Sequence, residues 1–473
     1  MALRSPAIAL AMGLSIPIAI ATLRWPFFGF AFLTFLLPLE RIQRFTDDTS
    51  EFTISIMRFV ALGTLAVLML YRITRKERII WDKSWILYGG YVIIASFGLF
   101  VSSDVGGTKR ALGTIGANCI FLFMYLNFFR TRKQIYAILG IWIGASLLAV
   151  LYSTYDWHLG SGRDEGIQTE VDPGKGAQTT ENRWSTVWQD RAEWETLGGH
   201  ALRRSMGPTS HAAVYGINMI MTLPFLIYLL QRSQRQIWRM TALASALGLT
   251  LYNVMLTNTR AVMLQAALTC ALCIGLGLFK IRTFHLLIGI VVAGIGLLLM
   301  PPDVYNRILD IENYDLENSA AMRVRIEYWK AGMRIINDNW LVGMGVGNEY
   351  EIPKYVKGGL TAEKSTVHNT FLQFFLEVGV FGWLLFYSFV GTLLYYANKA
   401  ARTFKPRPDW QLEYKILVAI QVAMVSVLTF GLQVDVFLFP LKGWWLLATI
   451  ATVLYRWSQA LPTLDESVET RKV

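Results

Sequence analysis

The chain has 473 residues, of which 54% are hydrophobic and only 16% are charged, whereas soluble proteins average about 25% charged residues. Its mean hydropathy is +0.41, and apolar runs of about 17 to 25 residues, each long enough to cross the hydrocarbon core of a bilayer, recur along it. These features indicate a polytopic membrane protein and exclude water-soluble enzyme folds.

The net charge of +11 does not indicate a nucleic-acid partner, because the excess of basic residues lies in short loops between apolar runs. Two long polar stretches, residues 155–207 and 301–368, hold 6 basic with 9 acidic and 8 basic with 10 acidic side chains, a joint net charge of −5. The rest of the chain therefore carries +16, much of it at residues 72–78, 130–133 and 399–407. The positive-inside rule then predicts cytoplasmic short loops and two long periplasmic stretches.

The apolar runs predict an all-α integral membrane protein with about twelve transmembrane helices, or thirteen if the first run crosses twice. The predicted spans lie near residues 5–39, 52–71, 84–101, 111–129, 134–154, 209–230, 237–256, 260–279, 283–300, 369–397, 414–431 and 437–457. The chain is thereby divided into N-terminal transmembrane helices (1–154), a periplasmic loop with an interfacial helix (155–207), central transmembrane helices (208–300), a large periplasmic loop (301–368), C-terminal transmembrane helices (369–457) and a cytoplasmic tail (458–473).

The first long polar stretch ends in a tryptophan-rich segment, residues 181–197. At helical spacing Trp184, Val187 and Trp188 share one face, which predicts a helix anchored at the membrane interface. Contact of this face with an acceptor molecule is the alternative interpretation.

The second long stretch contains a well-patterned helix, predicted at residues 319–336. Arg325 projects about 60° from the centre of its apolar face, on the flank opposite its charged face, and therefore towards whatever the helix packs against. A cation held in such a place usually meets an anion, which is either an internal acidic residue or a ligand. The apolar face comprises Met322, Ile326, Trp329, Met333 and Ile336, and the charged face Arg323, Glu327, Lys330 and Arg334.

Signatures of nucleotide-binding, metallohydrolase and serine-hydrolase sites are absent from the sequence: there is no Walker A loop, no HExxH and no GxSxG. The five histidines do not have the spacing of metal ligands. The sequence therefore predicts neither a metal nor another cofactor. The acidic residues Glu40, Asp47, Asp48 and Glu51 are interpreted as a solvated loop.

Three of the predicted spans enter the membrane from the periplasmic side with basic or imidazole side chains at their start. The span 209–230 follows Arg203 and Arg204, and Pro208 suits its first turn. The span 260–279 carries Arg260 in its first turn, after a segment of possible caps at residues 257–259. The span 369–397 has His368 and Asn369 at its entry, and residue 365 or 366 is its expected cap.

A cation at a helix N-terminus opposes the helix dipole, at a cost of about 0.3 to 1 kcal/mol, unless an anion lies beside it. Free backbone N–H groups and an arginine fork together suit a phosphate. The same dipole is expected to keep His368 neutral and able to accept a proton. A base beside an anion site suggests transfer onto a hydroxyl group.

Structural explanations for the same residues remain open. Arg260 and Arg204 could be interfacial side chains, and His368 a hydrogen-bonded loop histidine. His211 is interpreted as a packed polar residue. Arg58 and Asp435 lie in or beside apolar spans and could pair with each other or line a cavity.

Four ordered motifs over roughly residues 203–391 resemble the O-antigen ligase and O-antigen polymerase superfamily of bacterial cell-envelope glycosyltransferases. They are RRSMGPTSHA at 203–212, TNTRA at 257–261, RIEYW at 325–329 followed by VGMGVGN at 342–348, and HNTFLQFFLEVGVFGWLLF at 368–386. The resemblance implies a GT-C-like fold in the bacterial inner membrane, with the active site facing the periplasm.

The resemblance also implies a reaction, a metal-independent inverting transfer of a glycan from undecaprenyl pyrophosphate to an acceptor hydroxyl. It assigns the catalytic base to His368 and the donor pyrophosphate to Arg260 and Arg325, the latter by its four-residue spacing to Trp329. Further contacts with the pyrophosphate or the acceptor are expected from Arg204, Asn369, Arg323 and Arg203.

The acceptor distinguishes the members of this class. With lipid A-core as acceptor, the protein would be an O-antigen ligase of lipopolysaccharide biosynthesis, which is the first choice here. With a second lipid-linked repeat it would be an O-antigen or exopolysaccharide polymerase. With a protein hydroxyl it would be an O-oligosaccharyltransferase. A flippase or other transporter of lipid-linked glycans is the alternative from a different class, but it would be expected to show inverted repeats and cations near the membrane midplane.

Overall fold

The computed structural model describes residues 17–18, 20–39, 56–159, 192–197, 200–209, 211–233, 236–280, 294, 320–348, 351–356, 366–436 and 441–461, with the backbone alone for 192–203 and 320–324. The helices of this part are α1 Pro26–Leu36, α2 Ile56–Thr74, α3 Trp85–Val101, α4 Val105–Phe128, α5 Arg132–Leu159, α6 Ala212–Arg232, α7 Ile237–Leu256, α8 Arg260–Gly275, α9 Ala320–Asn339, α10 Glu351–Lys354, α11 Thr370–Phe404, α12 Gln411–Phe430 and α13 Lys442–Gln459. Two strands, β1 Ala192–Leu197 and β2 His200–Ser205, lie between α5 and α6.

Apolar helices dominate this architecture, as the sequence predicts. By length and composition, six of the described helices could cross a membrane: α2, α4, α5, α6, α11 and α12, the last counted from Pro408. The shorter apolar helices α1, α3 and α8 lie within other predicted spans. The helix predicted at 319–336 is confirmed by α9. The predicted span 283–300 lies outside the described residues except for residue 294, and the count of twelve spans stays a prediction.

The core of the bundle lies around α6, α12 and α13, whose side chains are buried on nearly every face. This burial follows from their sequences, which are apolar around the whole helix rather than along one stripe. Small residues allow the closest approaches: a Cβ atom placed on Gly216 of α6 would lie 2.5 Å from the side chain of Val262 in α8. The side chain of Val262 therefore packs directly against the backbone of α6 near the N-termini of the two helices.

Helix α11 reverses its direction at Gly379. The rings of Phe371 and Tyr387 stack with their centres 4.8 Å apart, although sixteen residues of a straight helix would separate them by about 24 Å. The indole of Trp383 also donates a hydrogen bond to the carbonyl of Phe371, at 3.1 Å. α11 therefore consists of a short arm, residues 370–378, that folds back against a long arm, residues 380–404. The prediction of one continuous span over 369–397 is wrong for its first nine helical residues.

Gly379 permits the reversal because its backbone, with φ 63° and ψ −172°, lies in a region that only glycine occupies readily. The backbone groups freed by the break bind a glycine-rich segment, residues 340–348. Met344 N–H donates to the carbonyl of Leu376 at 2.7 Å, and Val380 N–H donates to the carbonyl of Trp340 at 2.9 Å. The motif VGMGVGN thus supplies the hydrogen bonds that the broken helix lacks.

The segment 192–205 forms an antiparallel hairpin, in which Glu193 pairs with Arg204 and Trp194 with Arg203. The predicted interfacial helix over 181–197 is therefore wrong for residues 192–197. The periodicity of the apolar residues was the only basis for that helix, and pairing with the segment before α6 overrides it. Trp184, Val187 and Trp188 lie outside the described residues.

Arginine side chains hold together one end of the bundle, here called the basic end, where α4 ends and α5 begins. Arg72 is 2% exposed and donates to the carbonyl of Asn127, at 2.5 Å, in the last turn of α4. Arg132 forms an ion pair of 3.3 Å with the buried Glu413 of α12. Much of the basic charge located by the sequence therefore also closes helix ends.

Replacing Gly379 with alanine is expected to destabilise the protein by at least about 2 kcal/mol, because the backbone there is strained for any side chain and the overpacked contact adds to that cost. The added Cβ would also clash with the carbonyl of Leu341. Thermal unfolding of the purified protein measures the loss. Gly391→Ala is the matched control, since a Cβ at this position of the long arm meets nothing within 4 Å; equal melting temperatures for the two variants would contradict the proposed role of Gly379.

Candidate functional site

Helix N-termini converge at the end of the bundle opposite the basic end, here called the site end. α6 and α8 begin there side by side, and Gln265 in the second turn of α8 accepts a hydrogen bond of 3.1 Å from Thr429 near the end of α12. The short arm of α11 begins on the same level, because Thr370 N–H donates to the carbonyl of Gly431 at 2.7 Å. The N-termini of three helices therefore face one region from different directions.

Asn369 caps the short arm and holds His368 in place. Its side-chain oxygen accepts a hydrogen bond of 3.1 Å from Leu372 N–H, and its amide group donates to the carbonyl of Leu432 at 3.3 Å. Thr366, one of the two expected caps, does not fill this role, and Ser365 lies outside the described residues. His368 directly precedes the cap with a φ of 49°, a left-handed conformation that is uncommon for residues other than glycine and often marks a functional site.

The imidazole of His368 is held in its neutral form. Burial lowers the pKa of His368 below its ordinary value, and the positive charge of Arg325 and the nearby His211 lower it further. The direction agrees with the prediction from the helix dipole, but the larger cause is desolvation of the charged form. His368 is therefore a proton acceptor near neutral pH.

Arg325 reaches this region because α9 is tied to the residue that precedes His368. The indole of Trp329 donates a hydrogen bond of 2.8 Å to the carbonyl of Val367, and the ring of Tyr328 lies 6.3 Å from the ring of His368. Arg325 lies one turn earlier on the same helix and is half-buried. The flank chosen from the sequence does point towards the surface on which α9 packs.

Two further arginines lie where α8 begins. The Nη2 atom of Arg204 donates to the hydroxyl of Thr259 at 2.7 Å, and its Nε atom approaches the carbonyl of Thr257 at 3.5 Å. Thr259 is the N-cap of α8 and Arg260 its first residue. Two guanidinium groups at one helix N-terminus concentrate positive potential at a place where the helix dipole already favours an anion.

Other expected features of the region are placed differently. α6 begins at Ala212, with the ring nitrogen Nδ1 of His211 accepting a hydrogen bond of 3.0 Å from Ala213 N–H, so Pro208 lies in the preceding turn and not in the helix. For Arg203 and Arg323 the structure describes the backbone alone, in β2 and in α9 respectively. Among the described residues, no three of the His, Cys, Asp and Glu side chains are grouped so as to hold a metal ion.

The structure thus brings His368, Arg325 and His211 within electrostatic reach of one another, and places Arg204 and Arg260 together at the start of α8. Sequence reasoning missed that His211 is a helix cap that lies close enough to His368 to influence its pKa. Histidine is not among the residues that signal an N-cap, so only the fold connects the two side chains.

A comparison with protein families matches the part of the chain that carries several of these residues. A family model described as O-antigen ligase matches residues 243–387, which begin within α7, end within the long arm of α11, and include Arg260, Arg325 and His368. The match confirms the resemblance to the O-antigen ligase superfamily that the motifs indicate, and supports a glycosyltransferase of ligase or polymerase type in a bacterial membrane. A search of curated proteins finds no match.

Replacing Trp329 with phenylalanine is expected to loosen the attachment of α9 to the segment before His368. The buried carbonyl of Val367 would lose its donor, at a cost of about 1 to 3 kcal/mol. Thermal unfolding should report this loss. Trp238→Phe is the control, because that tryptophan is 70% exposed; a Trp329 variant as stable as this control would show that the bond does not support the site.

Proposed function

We propose that this protein is a metal-independent, inverting glycosyltransferase that moves a glycan from undecaprenyl pyrophosphate to an acceptor hydroxyl, with His368 as the base. The observation that carries the proposal is the neutral imidazole of His368 next to the guanidinium of Arg325, at the site end where helix N-termini converge. A neutral base beside fixed positive charge suits proton removal from one substrate and stabilisation of an anionic leaving group on the other.

The donor pyrophosphate is proposed to bind Arg260, Arg325 and Arg204, with the N-termini of α6 and α8 adding backbone N–H groups. Arginine suits this role because its planar fork can bind two phosphate oxygens at once. Arg203, Arg323 and Asn369 are proposed as further contacts with the pyrophosphate or the acceptor. The polyprenyl chain would then lie among the lipids beside the bundle.

In the proposed reaction, Nε2 or Nδ1 of His368 takes the proton of the acceptor hydroxyl as its oxygen attacks the anomeric carbon. The bond from that carbon to the pyrophosphate oxygen breaks, the bonding pair leaves with the undecaprenyl pyrophosphate, and the anomeric configuration inverts. The arginines stabilise the charge that grows on the leaving oxygen, as preorganised donors do in other enzymes.

The acceptor proposed first is lipid A-core, which makes the protein an O-antigen ligase in the bacterial inner membrane with its site end towards the periplasm. The basic charge at the opposite end supports this orientation, since positive loops face the cytoplasm. An O-antigen or exopolysaccharide polymerase and a protein O-oligosaccharyltransferase use the same donor chemistry, and product analysis distinguishes all three.

A cell-free assay with purified protein, lipid-linked glycan and each candidate acceptor tests the proposal. His368→Ala is expected to lower the rate of transfer by roughly 10²- to 10⁴-fold, the usual contribution of a general base. Mass spectrometry of the product identifies the acceptor and the new linkage. Because only an enzyme releases undecaprenyl pyrophosphate, its appearance also separates a transferase from a transporter.

His158→Ala is the control variant, because His158 lies at the end of α5, where it hydrogen-bonds to Tyr252 at 2.8 Å, and it has no proposed role in transfer. Near-normal transfer by a folded His368→Ala protein would refute the role of the base. Retention of the anomeric configuration in the product would refute the single displacement.

The pH dependence of transfer offers a second test. The proposed active form of His368 is neutral, and its pKa is lowered. As the pH decreases, kcat/KM should therefore start to fall only at pH values below about 6.5, the ordinary pKa of histidine. Arg325→Gln removes a positive charge that lowers this pKa, so the acid limb of its residual activity should move to higher pH. Arg325→Lys keeps the charge and should keep the limb in place; an unmoved limb in Arg325→Gln would contradict the coupling.

A further inference from the structure

A cavity, here called the groove, lies apart from His368, at the far end of α9. Its volume is about 490 Å³, within the range of about 300 to 1,000 Å³ that is typical of small-molecule sites. The cavity runs between the last turn of α9, the glycine-rich segment 340–348 and α10. No residue with a proposed role in glycan transfer lines it.

Two kinds of side chain line this groove. Asp338, Asn339 and Glu351 present carboxylate and amide groups, and Trp340 and Tyr355 present aromatic rings. Trp340 is 53% exposed although it is a large apolar residue. Planar polar groups can each bind two neighbouring hydroxyls, and an aromatic face, which is electron-rich, attracts the C–H edge of a sugar ring. This combination suits a saccharide.

The charge of the groove argues against a phosphate. Burial by itself would raise the pKa of Glu351. Hydrogen bonds from Lys354 and Ser103 outweigh this effect and hold the pKa of Glu351 below its ordinary value. Asp338 interacts with the hydroxyl of Tyr355. The carboxylates of Asp338 and Glu351, the latter paired with Lys354, disfavour a diphosphate. The groove therefore complements neutral sugars rather than the donor's pyrophosphate.

One rim of the groove continues into the apolar surface of the bundle. Val101 lines the groove at the end of α3, and its neighbour Phe100 is 84% exposed. Leu341 is exposed as well, and Phe381 at the start of the long arm is 56% exposed. Exposed aromatic and aliphatic side chains in this position indicate contact with lipid. A molecule in the groove can thus keep its sugars in the polar part and its acyl chains against this rim.

The geometry points to this groove as a binding site for the uncharged sugars of a membrane-anchored oligosaccharide acceptor, an inference that rests on the proposed transferase function. Thirteen residues of α9 separate Asp338 from Arg325, a distance of about 20 Å along the helix. A single sugar bound in the groove could not reach His368. The acceptor is therefore an extended glycolipid whose uncharged sugars bind in the groove while its far end reaches the base.

Binding of the acceptor can be measured without the donor, so the test does not depend on transfer. The full-length protein in nanodiscs is titrated with fluorescent lipid A-core, with lipid A that lacks the core sugars, and with phosphatidylethanolamine vesicles. Trp340→Ala and Asp338→Asn should each weaken binding of lipid A-core by about tenfold or more, because each removes a stacking surface or a hydrogen bond to a charged group. Trp238→Ala, which alters a still more exposed tryptophan at the start of α7, should change nothing.

Unchanged binding of lipid A-core by both groove variants would overturn the inference. So would an equal loss with lipid A or phosphatidylethanolamine, because the groove would then recognise a lipid and not its sugars. If the groove variants lose binding of lipid A-core but the wild-type protein shows no transfer, the groove is a glycolipid site and the proposed enzyme function is refuted. In an active protein, the variants should raise the KM for the acceptor and leave the KM for the donor unchanged.

Discussion

The position of His368 depends on one feature of the backbone, the reversal of α11 at Gly379. A straight helix over residues 370–404 would carry His368 far beyond the ends of α6 and α8. The reversal brings the start of the short arm back to the level at which α12 ends, where Gly431 and Val434 accept hydrogen bonds from Thr370. Buried backbone groups must be paired, so the glycine-rich segment that binds the broken helix is as necessary to the site as Gly379 itself.

Electrostatics at the site end then follow from the fold. Each helix N-terminus there contributes a partial positive charge, and arginines add full ones, an arrangement that costs stability unless an anion offsets it. At the basic end, by contrast, Arg72 donates to a carbonyl in the last turn of α4, where the dipole favours a cation, and Arg132 at the start of α5 is paired with Glu413.

The sequence predicts the helices well and the site in part. Apolar runs correctly located α2 to α8, and apolar periodicity located α9, because burial in lipid or in the core demands apolar side chains. The apolar pattern failed to predict the course of α11, because that course depends on a local break in the helix. In the segment 368–386 the hydropathy is continuous through Gly379, and nothing in the apolar pattern distinguishes a helix that continues from one that folds back.

The hairpin at 192–205 shows the same limit, since β pairing depends on a partner segment that a helical wheel does not include. Arg325 was predictable because its flank on α9 could be read from one helix alone. The effect of His211 on His368 was not predictable, because it joins residues more than 150 positions apart through the packing of α6 near the short arm. The properties of a single helix can thus be predicted from the sequence. Contacts between different helices and strands can be identified only once the fold is known.

The depth of the site is consistent with a lipid-linked substrate. α12 has 20 residues, so it is about 30 Å long, which equals the thickness of the hydrocarbon core. It begins at the basic end, beside Trp410 and Arg132, and its far end carries the start of the short arm. In the proposed orientation, with α12 crossing the bilayer, His368 would lie where the hydrocarbon meets the headgroups. A polyprenyl diphosphate holds its phosphates at that same level, so its reactive bond could meet the base without leaving the membrane.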